Sequence, residues 1–81
     1  MDIYEEVIAI LNEIKPTKDL SEINDIVSGG YIDSFELMSL ITLLDEKFDI
    51  EIDFNDIVPE NFNSADRMAK MVTKLMNRKS M

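Results

Sequence analysis

Apolar residues recur in three stretches of this chain with the spacing of one face of an α-helix. The members of each stretch lie mostly three or four positions apart: Ile3, Val7, Ile10, Leu11 and Ile14; Leu37, Leu40, Ile41, Leu44 and Phe48; and Met68, Met71, Val72, Leu75 and Met76. Such spacing is typical of amphipathic helices that bury one side. Because a chain of 81 residues without cysteine has no disulfide to reinforce it, these faces must form the core themselves. We therefore predict a single all-α domain over residues 1–81, a small four-helix bundle of three longer helices and one short helix.

The ends of the first two helices are marked by residues that favour helix starts and stops. The first helix is expected from Asp2 to Ile14, because Pro16 disfavours helical dihedrals in the residue before it. Asp33 is a good N-cap for the second helix, and Glu36 three positions later completes a capping box.

A long first loop, residues 16–31, joins these two helices. Loops of this length are uncommon in compact domains and are often functional. Four apolar residues are expected to hold it against the core: Leu20, Ile23, Ile26 and Val27. The pair Gly29–Gly30 then permits a sharp change of direction before the second helix.

The final third of the chain mixes loop and helix signals. The apolar alternation over residues 50–54 is predicted as loop, because one short strand has no partner. A short helical turn is expected over residues 55–58. Either Asn63 or Ser64 is expected to cap the last helix, and residues 77–81 are predicted to be a frayed tail.

The charge balance excludes some partners. Seventeen acidic residues against 8 basic ones give a net charge of −9, so nucleic acid is a poor partner and basic protein surfaces are the natural ones. An equally open interpretation is that the acids only keep a small protein soluble. No apolar run approaches the roughly 18 residues of a membrane span, and the start MDIYEEV is acidic, unlike a signal peptide. We expect a cytoplasmic monomer.

Ser34, directly after the N-cap Asp33, is the main candidate site. As a nucleophile it would need a base, but the chain has no histidine and Lys47 lies 13 residues further on. As a structural residue it would only open the helix. As an exposed hydroxyl it could be modified by another enzyme, and a phosphate there would meet backbone N–H groups and the positive end of the helix dipole.

An acidic segment after the second helix offers a competing metal site. Its oxygen-bearing residues fall at positions 1, 3, 5, 7 and 12 of an EF-hand calcium loop: Asp49, Glu51, Asp53, Asn55 and Glu60. Phe54, however, occupies the position that requires glycine, and Pro59 precedes the last ligand. We therefore expect no specific metal site, and only weak cation binding at Asp49, Glu51 and Asp53.

Two apolar residues of the second helix, Phe35 and Met38, lie away from the centre of its apolar stripe and near Ser34. They form either an exposed contact patch or a surface that the preceding loop covers.

In combination, these features resemble an acyl carrier protein along nearly the whole chain. The resemblance is carried by GGYIDSFELMSLITLLDEKFDIEI, in which a glycine shortly precedes Asp33–Ser34 and Phe48 closes the helix. Two departures argue against the housekeeping fatty-acid carrier: Phe35 replaces the usual leucine, and the second helix is less acidic than is common in the family.

The resemblance implies a function. Ser34, beside Asp33, would accept 4′-phosphopantetheine from coenzyme A through a separate phosphopantetheinyl transferase. The protein, a phosphoprotein and not an enzyme, would carry acyl or aminoacyl groups as thioesters between ligases and acyl-transfer enzymes with basic docking surfaces. The pathway stays open between fatty acid biosynthesis, polyketide or non-ribosomal peptide synthesis and cell-wall D-alanylation.

We expect the partner contacts on the second helix: Phe35, Glu36, Met38, Thr42, Asp45 and Glu46. Asp45 and Glu46 are expected to be ordinary surface acids, with little effect on stability. The alternative functions are an unmodified acidic interaction module and a calcium-binding regulator.

Overall fold

A computed structural model describes residues 2–79 and shows four α-helices: α1 (Ile3–Ile14), α2 (Ser34–Phe48), α3 (Pro59–Phe62) and α4 (Ala65–Lys79). Helix α1 packs against α2 and α4, and α3 lies against α4. Over residues 2–79 there is no β-strand, and the predicted all-α bundle of three longer helices and one short helix is confirmed. In that part of the chain, no helix combines the length and the apolar character needed to cross a membrane.

The core is built from the apolar faces that the spacing predicts. Fully buried side chains come from all three long helices and from α3, and they include Val7, Leu11, Leu40, Leu44, Phe62, Met68 and Val72. The first loop adds Leu20 and Ile26, both fully buried, while Ile23 and Val27 pack at the margin. The loop is therefore anchored to the core, as expected.

Side-chain caps explain where the long helices begin. The Asp2 carboxylate accepts hydrogen bonds from the N–H groups of Tyr4 and Glu5, so α1 begins one residue after the predicted start. Ser64 caps α4, since its buried Oγ accepts the Arg67 N–H at 3.1 Å. Each cap satisfies N–H groups that have no intrahelical acceptor.

The predicted helical turn over residues 55–58 is wrong in its placement. A 3₁₀ turn covers Phe54–Asp56, and α3 begins at Pro59. Proline is favoured at the first helical position because its missing N–H would have no partner there. Val58 before it is extended, as a residue preceding proline prefers (φ −132°, ψ 153°).

The segments on either side of α3 complete the description. Residues 50–53 form a loop, as predicted, and it buries Ile50 and Ile52 while Phe54 is exposed. Of the predicted frayed tail, residues 77–79 belong to α4 and residues 80–81 lie outside the described part of the chain.

Candidate functional site at the start of α2

Ser34 is the first residue of α2 and is exposed. The Ser34 hydroxyl forms no hydrogen bond with any group of residues 2–79. The N–H groups of Ser34 and Phe35 also precede the intrahelical ladder, whose first bond runs from the Leu37 N–H to the Asp33 carbonyl at 2.9 Å. The site therefore presents a free hydroxyl beside unpaired N–H groups and the positive end of the helix dipole.

A capping box fixes the geometry of this helix start. Asp33 Oδ1 accepts the Glu36 N–H at 2.8 Å, and Glu36 Oε1 accepts the Asp33 N–H at 3.0 Å. The predicted capping box is thus present. Because the Asp33 carboxylate bonds to the helix, Ser34 remains outside the cap and faces solvent.

Lys15 also reaches this helix start, which the sequence analysis did not anticipate. Its Nζ lies 3.2 Å from Glu36 Oε1 and 3.1 Å from Oε2. The Glu36 carboxylate, predicted as a partner contact, is therefore engaged within the molecule, joining the end of α1 to the start of α2. Lys15 is ion-paired with Glu36 and the chain has no histidine, so neither of these two side-chain types is available as a base to activate Ser34.

The last residues of the first loop determine the path of the backbone that leads to Ser34. The Ile26 carbonyl accepts hydrogen bonds from the Tyr31 N–H at 3.0 Å and the Ile32 N–H at 3.4 Å. Between Ile26 and Tyr31 the chain reverses direction at Gly30, whose φ of +76° is easily adopted only by glycine. The predicted change of direction is present, and after it the backbone leads to Asp33.

The exposed face of α2 below Ser34 carries the apolar patch. Phe35 is 79% exposed and Met38 is 56% exposed, so the interpretation that the preceding loop covers them is wrong. Thr42, one turn below Met38, is exposed and donates its hydroxyl to the Met38 carbonyl at 3.1 Å. Apolar side chains this exposed beside an exposed hydroxyl are suited to contact with another protein.

The two acids at the lower end of α2 have different environments. Asp45 is half-buried, and its Oδ1 accepts the Ile52 N–H at 3.0 Å. The expectation that Asp45 is an ordinary surface acid is therefore wrong, because its carboxylate holds the chain that follows α2. Glu46 is exposed and lines a groove between α1 and α2 together with Ala9 and Glu13.

The EF-hand alternative finds no support in the fold. Phe54 opens a 3₁₀ turn and is 85% exposed, at the position where a calcium loop needs glycine. Across residues 2–79, no three acidic side chains are grouped closely enough to hold a metal ion. Asp49, Glu51 and Asp53 instead border a shallow depression shared with Arg78.

Asp19 and Lys47, both outside the site, have shifted pKa values. The pKa of Asp19 lies below its ordinary value because the Ser21 hydroxyl and N–H donate hydrogen bonds to its carboxylate, at 2.7 and 3.0 Å. The pKa of Lys47 lies above its ordinary value because Glu6 hydrogen-bonds and attracts its ammonium group at 2.8 Å. These contacts stabilise the first loop and the α1–α2 pair, respectively.

Known proteins of similar sequence align with nearly the whole length of the chain. A D-alanyl carrier protein from Streptococcus sanguinis (strain SK36) is 33% identical over 79 residues, which is 95% of this chain and 99% of that protein. D-alanyl carrier proteins from Streptococcus gordonii and Streptococcus mutans match over the same length, at 32% and 30% identity. No family model matches the chain.

These relatives refine the expectations from sequence. They confirm the resemblance to carrier proteins and the prediction that the chain is not an enzyme. They give no support to fatty acid biosynthesis, since all three are D-alanyl carriers. Identity of at least 30% over nearly the full length of both aligned proteins is sufficient to assign a chain to a family. The chain therefore belongs to the carrier-protein family that includes the D-alanyl carrier proteins.

Proposed function

We propose that this protein carries an aminoacyl group, D-alanine, as a thioester on a 4′-phosphopantetheine arm attached to Ser34. The observation that carries the proposal is the free, exposed Ser34 hydroxyl at the start of α2, in a chain of this family. The arm supplies the thiol that a protein without cysteine lacks. Membership in the family supports the arm in general, and the names of the relatives support D-alanine as the cargo.

The residues at the start of α2 suit this modification. Attachment forms a bond from Ser34 Oγ to phosphorus and breaks the bond from that phosphorus to the nucleotide part of coenzyme A. The hydroxyl proton would leave to a base of the transferase, because Lys15 is ion-paired and the chain has no histidine. The attached phosphate would lie beside the N–H groups of Ser34 and Phe35, where the helix dipole favours negative charge.

The exposed face of α2 is the proposed contact for partner enzymes. Phe35 and Met38 would give apolar contact next to the arm, with Thr42 below them. With a net charge of −9, the protein attracts basic surfaces over a distance, so transferase and ligase should approach with basic residues. Asp45 and Glu46 remain proposed contacts at the edge of this face, and Glu36 contributes mainly by holding the helix start.

Attachment is tested by intact mass after incubation with coenzyme A and a phosphopantetheinyl transferase of broad specificity. We expect one phosphopantetheine per chain, mapped to Ser34 by peptide analysis, and none in Ser34→Ala. Ser39→Ala, on the same helix, is the matched control and should be modified like the wild type. A wild-type protein that stays unmodified would favour the unmodified interaction module.

The cargo requires a separate measurement on the modified protein. A D-alanine ligase with ATP should load D-alanine in preference to L-alanine, whereas an acyl ligase supplied with a fatty acid should load little. The thioester recovered from native cells should be D-alanyl, and a fatty acyl thioester would contradict the proposal. We propose the cytoplasm as its compartment, because the transferase draws on coenzyme A there, and a monomer as its state.

The contact face is tested by paired aromatic substitutions. Phe35→Ser should lower the efficiency of modification and loading about tenfold, because an exposed aromatic at the centre of a contact often contributes more than 1 kcal/mol. Phe54→Ser removes an equally exposed phenylalanine from the 3₁₀ turn and serves as the control. Equal losses in both variants would contradict a contact face confined to α2.

A further inference from the structure

Asn63, between α3 and α4, binds the first loop through both its side chain and its backbone. Its Oδ1 accepts the N–H groups of Val27 and Ser28, each at 3.0 Å, and the Ser28 hydroxyl at 3.2 Å. Its backbone carbonyl accepts the Ile26 N–H at 2.9 Å. We call these four hydrogen bonds the Asn63 clamp. They join segments that are at least 35 positions apart in sequence.

The clamp is connected to the site through Ile26. This residue is fully buried, and its carbonyl accepts the N–H groups of Tyr31 and Ile32. Ile32, itself buried, directly precedes the N-cap Asp33. Backbone hydrogen bonds therefore connect Asn63 through Ile26 to Ile32, the residue before the N-cap of α2.

The two glycines explain why the loop needs an external support. Gly30 has φ +76°, and a Cβ at Gly29 would lie 2.6 Å from the Asp25 backbone carbonyl oxygen, so both positions favour glycine. Glycine loses more conformational freedom on folding than any other residue, which makes this turn weak as an independent unit. Within the turn, the Gly30 N–H donates to the Val27 carbonyl at 3.1 Å. The bonds from Asn63 add a contact from outside the loop, which holds residues 26–28 where the chain enters the turn.

We propose that Asn63 is a positioning residue for group transfer to Ser34. It does not touch the reacting atoms. By holding residues 26–28 against Asn63, the clamp keeps the turn and the start of α2 in the orientation that a transferase must engage. The inference rests on the proposed modification of Ser34, and its experiment separates the two.

Three variants test the clamp. Asn63→Ala removes the side-chain acceptor, whereas Asn63→Asp keeps an oxygen in the same place and should retain the bonds. Asn61→Ala is the control: its side chain donates one short-range bond to the Asp56 carbonyl, at 2.8 Å, and none to the first loop. Ser28→Ala removes only the hydroxyl bond, so it gives a milder test should Asn63→Ala fail to fold.

Two measurements are made on each variant in its unmodified form. Amide hydrogen exchange of Val27, Ser28, Tyr31 and Ile32 should become about tenfold faster in Asn63→Ala, with core amides of α1 unchanged. The kcat/KM of the transferase toward the same variant should fall by about tenfold, because a displaced hydroxyl reacts poorly. Asn63→Asp should restore both values, Asn61→Ala should match the wild type, and Ser28→Ala should lie between.

The possible results have distinct meanings. Unchanged exchange in Asn63→Ala would overturn the clamp, and so would losses of equal size in Asn61→Ala. Faster exchange with an unchanged kcat/KM would show that Asn63 holds the loop without positioning Ser34, which overturns the inference but leaves the proposed function intact. A wild-type protein that is not modified at all would overturn the proposed function and the positioning role with it, while the exchange data would still decide whether the clamp exists.

Discussion

The Asp45 carboxylate offers a sharp test of how α2 is tied to the chain that follows it. In Asp45→Ala the Ile52 N–H loses its acceptor, 3.0 Å away, at a place where Ile52 is itself buried. The backbone bond from the Ile50 N–H to the Asp45 carbonyl, at 3.1 Å, is unaffected by the substitution. The experiment therefore isolates the side-chain bond.

The magnitude follows from the kind of bond lost. Hydrogen bonds to charged groups contribute about 1.5–3 kcal/mol, and the partial exposure of Asp45 favours the lower half of that range. Alanine is the better helix former, and this offsets about 0.5 kcal/mol of that loss. We expect a net loss of about 1–2 kcal/mol in the free energy of unfolding, or about 5–15 °C in Tm for a domain of this size.

Urea unfolding followed by circular dichroism measures the effect. The midpoint should fall with an unchanged m-value. Asp45→Asn, which keeps a neutral acceptor, should lose about half as much. Glu46→Ala removes the same charge from the next residue, which is exposed, and should change stability by less than about 0.5 kcal/mol. If Asp45→Ala and Glu46→Ala were equally stable, the structural role of Asp45 would have to be abandoned.

Three further predictions concern the loops and the net charge. Gly30→Ala should lower stability by about 1 kcal/mol in urea titrations, because its φ of +76° is strained for alanine. The pKa of Asp19 in the folded state lies below 3.8, so its stabilising effect is present above that pH and is lost as pH falls through the folded value. In Asp19→Asn, the free energy of unfolding should therefore fall less steeply as the solution is acidified. Salt should raise Tm by screening the net charge of −9, and calcium should match magnesium at equal ionic strength in melting curves; a specific gain from micromolar calcium would revive the calcium-loop alternative.

The helices and the start of α2 were predictable because their signals are local. Apolar spacing marks the buried faces, and the capping box needs only Asp33 and Glu36, three positions apart. The position of Ser34 as the first helical residue follows from its place after the cap. The short elements were placed less well, because three or four helical residues carry too little periodicity to decide between a turn that stops before Pro59 and a helix that starts there.

The sequence by itself determined the all-α class, the apolar faces and the exposed hydroxyl of Ser34, since each depends on residues within about one or two helical turns. Only the tertiary structure decided which polar side chains support that site. Lys15 meets Glu36 across 21 positions, and Asn63 meets Ser28 across 35. Periodicity and local preference carry no information on such contacts, because they form only when packing of the core brings distant segments of the backbone together.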